Sequence, residues 1–504
     1  MMQFTRTAPP PPPPLVHPNN GLHHGLGLGL FLDVGAARTP WPGSFPSPSS
    51  KISLGNLNST GCMEQLLVHC ANAIEANDAT LTQQILWVLN NIAPPDGDSN
   101  QRLTAAFLCA LVARASRTGA CKAVTAAVAA AVAESASLHV HRFTAVELAS
   151  FVDLTPWHRF GYTAANAAIL EAVEGFPAVH IVDLSTTHCM QIPTLIDMLA
   201  SRAEGPPVLR LTVADVGGVA SPPPALDVSY DELGAKLVGF ARSRNVSMEF
   251  RVVPASPADG FASLVDQLRV QQLVSDGTEA LVVNCHMLLH TVPDETAGSV
   301  VSCSLPVSIR TMLLKSIRTL DPALVVVVEE DADFTAGDVV GRLRAAFNFM
   351  WIPYDAVDTF LPKGSEQRRW YEAEVGWKVE NVLAQEGVER VERQEDRARW
   401  GQRMRSAGFR AVAFNEETAG EVKAMLNEHA AGWGMKREDD DLVLTWKGHN
   451  VVFASAWAPL MLEPGAKLHE LCRVHRQQGE KKVSVVSINI SPLVHHPKSN
   501  AGTT

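Results

Sequence analysis

Residues Pro177 to Ser185 read Pro-Ala-Val-His-Ile-Val-Asp-Leu-Ser, and this stretch restricts the fold more than any other. Val179, Ile181 and Val182 are β-branched and apolar, as a short buried strand requires. Helical patterns flank it, Trp157 to Gly175 before and Gln191 to Arg202 after. A short apolar strand between helices belongs to a parallel sheet covered on both faces. Ligands of such sheets bind outside the carboxyl ends of the strands, where Asp183 is expected.

Further runs repeat the pattern. Strands are expected at Pro207–Val213, Met248–Val253, Ala280–Asn284 and Ala323–Val328, the last closing on Glu329-Glu330-Asp331. The helix Tyr230–Asn245 carries Leu233, Leu237, Phe240 and Ala241 on one face. Strand, helix, strand repetition predicts a doubly wound, mostly parallel α/β sheet of Rossmann-like, methyltransferase-like layout.

Before residue 125 the periodicity is helical only. Leu66, Leu67, Cys70, Ala71 and Ile74 share one helical face. Leu81, Ile85, Val88, Leu89 and Ile92 form a second stripe, closed by Pro94-Pro95-Asp96-Gly97-Asp98. Leu103, Phe107, Leu108, Leu111 and Val112 mark a third helix. Such stripes pack a bundle; one wider than its core needs marks a partner surface. Leu81, Ile85, Leu89 and Ile92 are the candidates for that role.

The ends differ from this core. Residues 1–58 hold the proline run Pro9–Pro14, a glycine–leucine stretch and a proline–serine stretch, a composition that predicts a tail without a packed core. Residues 459–504 form a basic extension with a short strand expected at Val483–Ile490, read as weakly ordered.

Composition excludes several classes. Of 504 residues, 46% are hydrophobic, enough for a large core, and the net charge of −11 does not suit a chain that binds nucleic acid along its length. No two of the eight cysteines are spaced Cys-x-x-Cys, so neither a zinc module nor a disulfide framework is indicated. The longest apolar tract, near Ala123–Ala133, is far short of the ~20 residues that span a bilayer, so no membrane is expected as a partner.

The strand end invites an enzyme reading, and the residues argue against it. The turn Leu184–Met190 contains no glycine, and Gly-x-Gly-x-x-Gly is absent from the following helix. No cofactor, metal or catalytic residue is expected. Asp183, Ser185 and His188 have the residue types of a triad, but three positions on one loop rarely converge on one atom. His180 reads as a satisfied core histidine, Asp183 as a cap for local backbone N–H groups, and Cys189 as a candidate thiol only if exposed beside positive charge.

Between Lys363 and Arg410, arginines and glutamates interleave and largely cancel, which reads as a solvated, salt-bridged helix face in a charged, helical C-terminal part.

Val179-His180-Ile181-Val182-Asp183 resembles the Val-His-Ile-Ile-Asp motif of the GRAS family of plant transcriptional regulators, with Gln191 and Pro193 where that family has glutamine and proline. Glu386-Gly387 followed by Arg390-Val391-Glu392-Arg393 resembles the end of its PFYRE region. Trp400-x7-Gly408, Leu444-Thr445-Trp446 and Ser455-Ala456-Trp457 resemble its terminal SAW region. One departure is Trp377-Lys378, where the family has arginine–glutamate. The resemblance spans about residues 59–458: leucine repeat I at 59–124, the VHIID region at 143–213, leucine repeat II at 229–262, PFYRE at 279–396 and SAW at 397–458. It implies a nuclear regulator acting as a protein-interaction scaffold, with a helical cap used in association. Similarity to the SHORT-ROOT branch implies other GRAS proteins and zinc-finger proteins of the indeterminate-domain type as partners, with DNA reached mainly through them. The alternatives are a methyltransferase-like enzyme, which the sheet alone permits, and a direct sequence-specific DNA reader.

Overall fold

A computed structural model describes residues 60–118, 142–217, 223–274, 278–298 and 308–460. The tail expected at 1–58 lies outside these residues, as does the extension expected at 459–504 apart from residues 459 and 460, with the strand expected at Val483–Ile490. In chain order the helices are α1 (Thr60–Glu75), α2 (Ala79–Ile92), α3 (Ser99–Thr118), α4 (Ala145–Val152), α5 (Pro156–Ala172), α6 (Ile192–Ala200), α7 (Tyr230–Ser243), α8 (Ala262–Val274), α9 (Ile309–Thr319), α10 (Val339–Asp358), α11 (Glu366–Ala384), α12 (Arg397–Ser406) and α13 (Glu416–Leu426). The strands are β1 (Arg142–Phe143), β2 (Ala178–Ser185), β3 (Val208–Asp215), β4 (Ala225–Leu226), β5 (Met248–Pro254), β6 (Glu279–His286), β7 (Leu324–Glu330), β8 (Phe409–Val412), β9 (Trp433–Glu438), β10 (Asp441–Trp446) and β11 (His449–Pro459).

Among the described residues, nine strands make one sheet in the order β5-β3-β2-β6-β7-β11-β10-β9, with β8 also paired to β11. From β5 to β7 all pairings are parallel. From β7 onward they are antiparallel. The sheet is therefore Rossmann-like in one half only. The C-terminal part, expected to be helical, supplies the other half, because Trp446 and Trp457 lie on strands with inward apolar residues.

Alternation along the parallel strands feeds two cores. Val179 and Ile181 join Leu209, Leu211, Val326 and Val328 on one face, packed against the helical cap, α5 and α10. Val182 and Leu184 join Val283, Val325 and Val327 on the other, packed against α8, α9 and α12. Each such side chain withdrawn from water contributes about 1.5–3 kcal/mol. Helix α5 starts where Thr155 accepts from the Trp157 N–H and Pro156 occupies the first turn. Gly161 lets α5 sit close on the sheet: a Cβ there would lie 2.6 Å from Val328 Cγ1 and 2.7 Å from His286 Cε1.

The helical cap is not N-terminal alone. Helix α3 packs against α10 and α11 as well as α1 and α2. Phe107 meets Phe347 edge to face at 5.3 Å. Arg102, buried, bonds Asp358 at 2.7 Å and Glu372 at 2.9 Å. The cap cannot close until the chain has returned from the sheet some 250 residues later.

Candidate functional site

The carboxyl ends of the parallel strands carry two polar clusters of opposite character. The first closes β2 and β6. Asp183 is 1% exposed and accepts from Asn284 Nδ2 at 2.8 Å and from Ser185 Oγ at 2.7 Å. Asn284 also donates to Gln191 Oε1 at 3.0 Å, and Gln191 donates to Asn166 Oδ1 at 2.8 Å. Asp183 thus holds side chains rather than the backbone N–H groups expected for it, because its neighbour β6 presents Asn284 in register with it. Burial raises its pKa, as it does that of Cys189, so neither favours its charged form. Cys189 is buried and is not the exposed thiol its reactivity would require.

The loop after β2 turns without glycine through His188 and Cys189, at φ 48° and 62°. His188 points away from Ser185: its Nε2 lies 3.0 Å from the Pro224 carbonyl and its Nδ1 3.3 Å from the Tyr230 hydroxyl. The three residue types of a triad are present but not assembled. Tyr162 donates to Thr187 Oγ1 at 2.6 Å, and Nδ1 of buried His158 lies 3.2 Å from Nε2 of buried His286. Side chains therefore fill the space above β2 and β6. His180, 3% exposed, lies with Nε2 2.8 Å from Thr212 Oγ1, and burial with Arg210 nearby lowers it to about 4. It is a core histidine.

The second cluster closes β7 and is charged. Glu329 and Glu330 are fully buried. His290 Nδ1 bonds Glu329 Oε2 at 2.8 Å, and its Nε2 lies 3.4 Å from Glu392 Oε2. Burial alone would lower His290; the two carboxylates overcome it and lift the imidazole to about 10. Lys378 pairs with Glu330 at 2.6 Å, which gives the departure at Trp377-Lys378 a place in this cluster. Trp157 Nε1 donates to the same carboxylate oxygen at 3.1 Å.

The segment 390–396 threads through this cluster. Asn381 Oδ1 accepts the Val391 and Glu392 N–H groups, both at 2.9 Å. Arg393 pairs with Asp294 at 3.1 Å. Arg310, fully buried, donates to the carbonyls of His290, Val292 and Arg393 at 2.6–2.7 Å and pairs with Glu395 at 3.3 Å. Its guanidinium lies 5.3 Å from the centre of the Trp400 ring. Arg403 clamps Glu395 at 2.6 Å and Glu295 at 2.7 Å.

The region expected as one solvated helix face is thus two helices joined by an inward-turned segment, with Arg368, Arg390, Glu392, Arg393 and Glu395 buried. Interleaved charges of both signs, largely cancelling, suit ion pairing in a core as well as at a surface, so charge pattern alone could not separate the two. The SAW residues brace the same neighbourhood. Trp457 Nε1 donates to Ser455 Oγ at 2.8 Å, and Ala456 sits between Val326 and Val412. Trp446 Nε1 reaches Asp355 at 2.7 Å. Gly408 holds φ 91° at the turn into β8, a conformation glycine adopts without strain.

On the cap, the four candidates of α2 separate. Ile85, Leu89 and Ile92 are buried against α1 and α3, while Leu81 is 44% exposed. Trp87 is 52% exposed and was not among the candidates. The i, i+4, i+7 rule selects the inward stripe and passes over an aromatic residue off it.

Residues 63–458 match the GRAS domain family. Scarecrow-like protein 32 of Arabidopsis thaliana is 57% identical over 422 residues, which is 83% of this chain and 98% of that protein. The Arabidopsis protein SHORT-ROOT is 31% identical, over 83% of this chain and 77% of its own. The crystal structure of SCL7 from Oryza sativa shares the fold, with a TM-score of 0.61 at 23% identity over 78% of this chain and 99% of that one. The chain belongs to the GRAS family of plant transcriptional regulators, which are not enzymes.

Proposed function

We propose that this chain acts in the nucleus as a protein-interaction scaffold and is brought to promoters by DNA-binding partners. The observation that supports this reading most is the inward turn of its arginine-rich segment. Phosphate contacts need free lysine or arginine, one per phosphate neutralised. Arg368, Arg393, Arg397, Arg399 and Arg403 are each paired to carboxylates of the same chain. Lys363, Arg369, Arg405 and Arg410 are exposed in this region, fewer than the arginines that the fold holds.

The partners inferred are other GRAS proteins, as homo- or heterodimers, and zinc-finger proteins of the indeterminate-domain type. Leu81 and Trp87 offer exposed apolar contact on the cap for the first kind. The test is promoter occupancy by chromatin immunoprecipitation in plants with and without the zinc-finger partner. Occupancy should fall to background when the partner is missing. Unchanged occupancy across all such partner losses would favour direct DNA reading.

A further inference from the structure

We propose that Thr296 is a phosphorylation site whose phosphate is held by Arg390 and Arg393. The site lies apart from the surfaces invoked above and concerns how the PFYRE segment is fastened. Thr296 is exposed and sits in the short 3-10 turn Glu295–Gly298. Two guanidiniums already converge on its hydroxyl: Arg393 Nη1 donates to Oγ1 at 2.7 Å and Arg390 Nη2 at 3.3 Å. A neutral hydroxyl oxygen is a weak acceptor for two cations, whereas a phosphate presents three strong acceptor oxygens.

Arg390 makes the case specific. It is 4% exposed, and among the described residues it has no carboxylate at ion-pair distance. Its Nε is buried without an acceptor, and its other contact, to the Phe334 carbonyl, is 3.4 Å long. A buried guanidinium with an unmet donor is costly, and a charge-assisted bond to an anion relieves that cost. Burial first, and the neighbouring Arg342 and Arg393 next, lower the Arg390 pKa to about 10. Three guanidiniums, Arg342, Arg390 and Arg393, are set against two carboxylates, Asp294 and Glu386. Glu386 is also shared with Arg114. Glu295, next to Thr296 in the chain, is taken by Arg403.

The modifying step is ordinary phosphoryl transfer by a protein kinase. Thr296 Oγ1 attacks the γ-phosphorus of a nucleoside triphosphate, the new O–P bond replaces the bond to the β-phosphate oxygen, and the hydroxyl proton and nucleoside diphosphate leave. The hydroxyl now donates to Asp294 Oδ1 at 2.7 Å, and that bond is lost. Asp294, paired with Arg393, stands beside the phosphate and opposes it, and the three guanidiniums Arg342, Arg390 and Arg393 have to outweigh that repulsion. The added dianion, about −1.5 to −2 at neutral pH, then fastens the turn to Arg390 and through it to the 390–396 segment.

The experiment is a phosphorus-31 NMR titration of the full chain carrying phosphothreonine at 296, folded and then unfolded in urea. The unfolded chain should titrate near the ordinary value of about 6, and the folded chain below about 5.5. Arg390→Gln should return the folded value toward the unfolded one, while Arg390→Lys keeps part of the difference. A folded value equal to or above the unfolded one overturns the clamp, and that comparison needs no variant to fold. Peptide mass spectrometry of the chain purified from plant nuclei should find phosphate on Thr296. Its absence from every tissue in which the chain is expressed would overturn the modification itself.

Discussion

The cap helix α2 and the segment 390–396 invert each other. The helix reads as apolar and packs three of its candidate residues inward, yet leaves Leu81 and Trp87 in solvent. The segment reads as charged surface, yet buries Arg390, Glu392, Arg393 and Glu395. Apolar residues outside and charges inside are the reverse of the usual sorting, and each signals a different job. Buried, mutually bonded charges fix one arrangement of irregular backbone. An exposed tryptophan on a rigid helix offers contact area at little entropic loss.

The largest effects should come from the charged interior. Arg310→Ala orphans three carbonyls and removes one of the three arginines paired with Glu395, and should destabilise the domain by about 3–5 kcal/mol, read from the urea midpoint. A loss under about 1 kcal/mol would mean that water replaces the guanidinium and the segment is not pinned. Leu89→Asp places an unpaired charge in the cap core and should cost a similar amount, about 3–5 kcal/mol.

A smaller, graded effect should follow pH. The folded His290 titrates near 10, above its ordinary 6.5, so its contribution is complete below about pH 6.5 and is lost as pH rises through about 10. Glu374, raised by burial to about 7, acts in the same direction at lower pH, its penalty growing from about 4.5 to 7. Buried histidines whose pKa is lowered, His158, His180 and His286 among them, act the other way below about pH 8, so melting temperatures taken from pH 8 to pH 10, where those groups are neutral folded or unfolded, should decline. A rise over that range would contradict the protonated state assigned to His290.

The smallest effect on stability should accompany the largest on association. Leu81→Asp and Trp87→Asp should each change stability by no more than about 0.5 kcal/mol. Sedimentation should show association with GRAS partners weakened. If stability and association fall together, this face is packing and not an interface.

The parallel half of the sheet was legible because period-two apolar runs and flanking helical stripes are local signals. The same holds for α2: its inward stripe follows from spacing alone. What the sequence did not disclose depends on distant partners. Asp183 meets Asn284 across 101 positions, and Arg393 meets Asp294 across 99. No local window contains both members of such a pair. The 390–396 segment has no periodicity to read, so its charges carried the only signal, and charge alone does not tell core from surface. Glu329-Glu330, at the end of an otherwise apolar run, was the one visible sign that ions lie buried there.

The central claim is that the buried and paired arginines of residues 368–403 serve the fold and that DNA is left to partners. Fluorescence anisotropy of the full chain with promoter DNA, titrated with salt to physiological strength, tests it most directly. The account predicts weak binding, with a Kd no tighter than about 10⁻⁶ M, the nonspecific range, and little preference between promoter and scrambled sequence. Addition of the zinc-finger partner should yield a larger, sequence-specific complex. Nanomolar, sequence-specific binding by this chain alone at physiological salt would contradict partner-dependent recruitment.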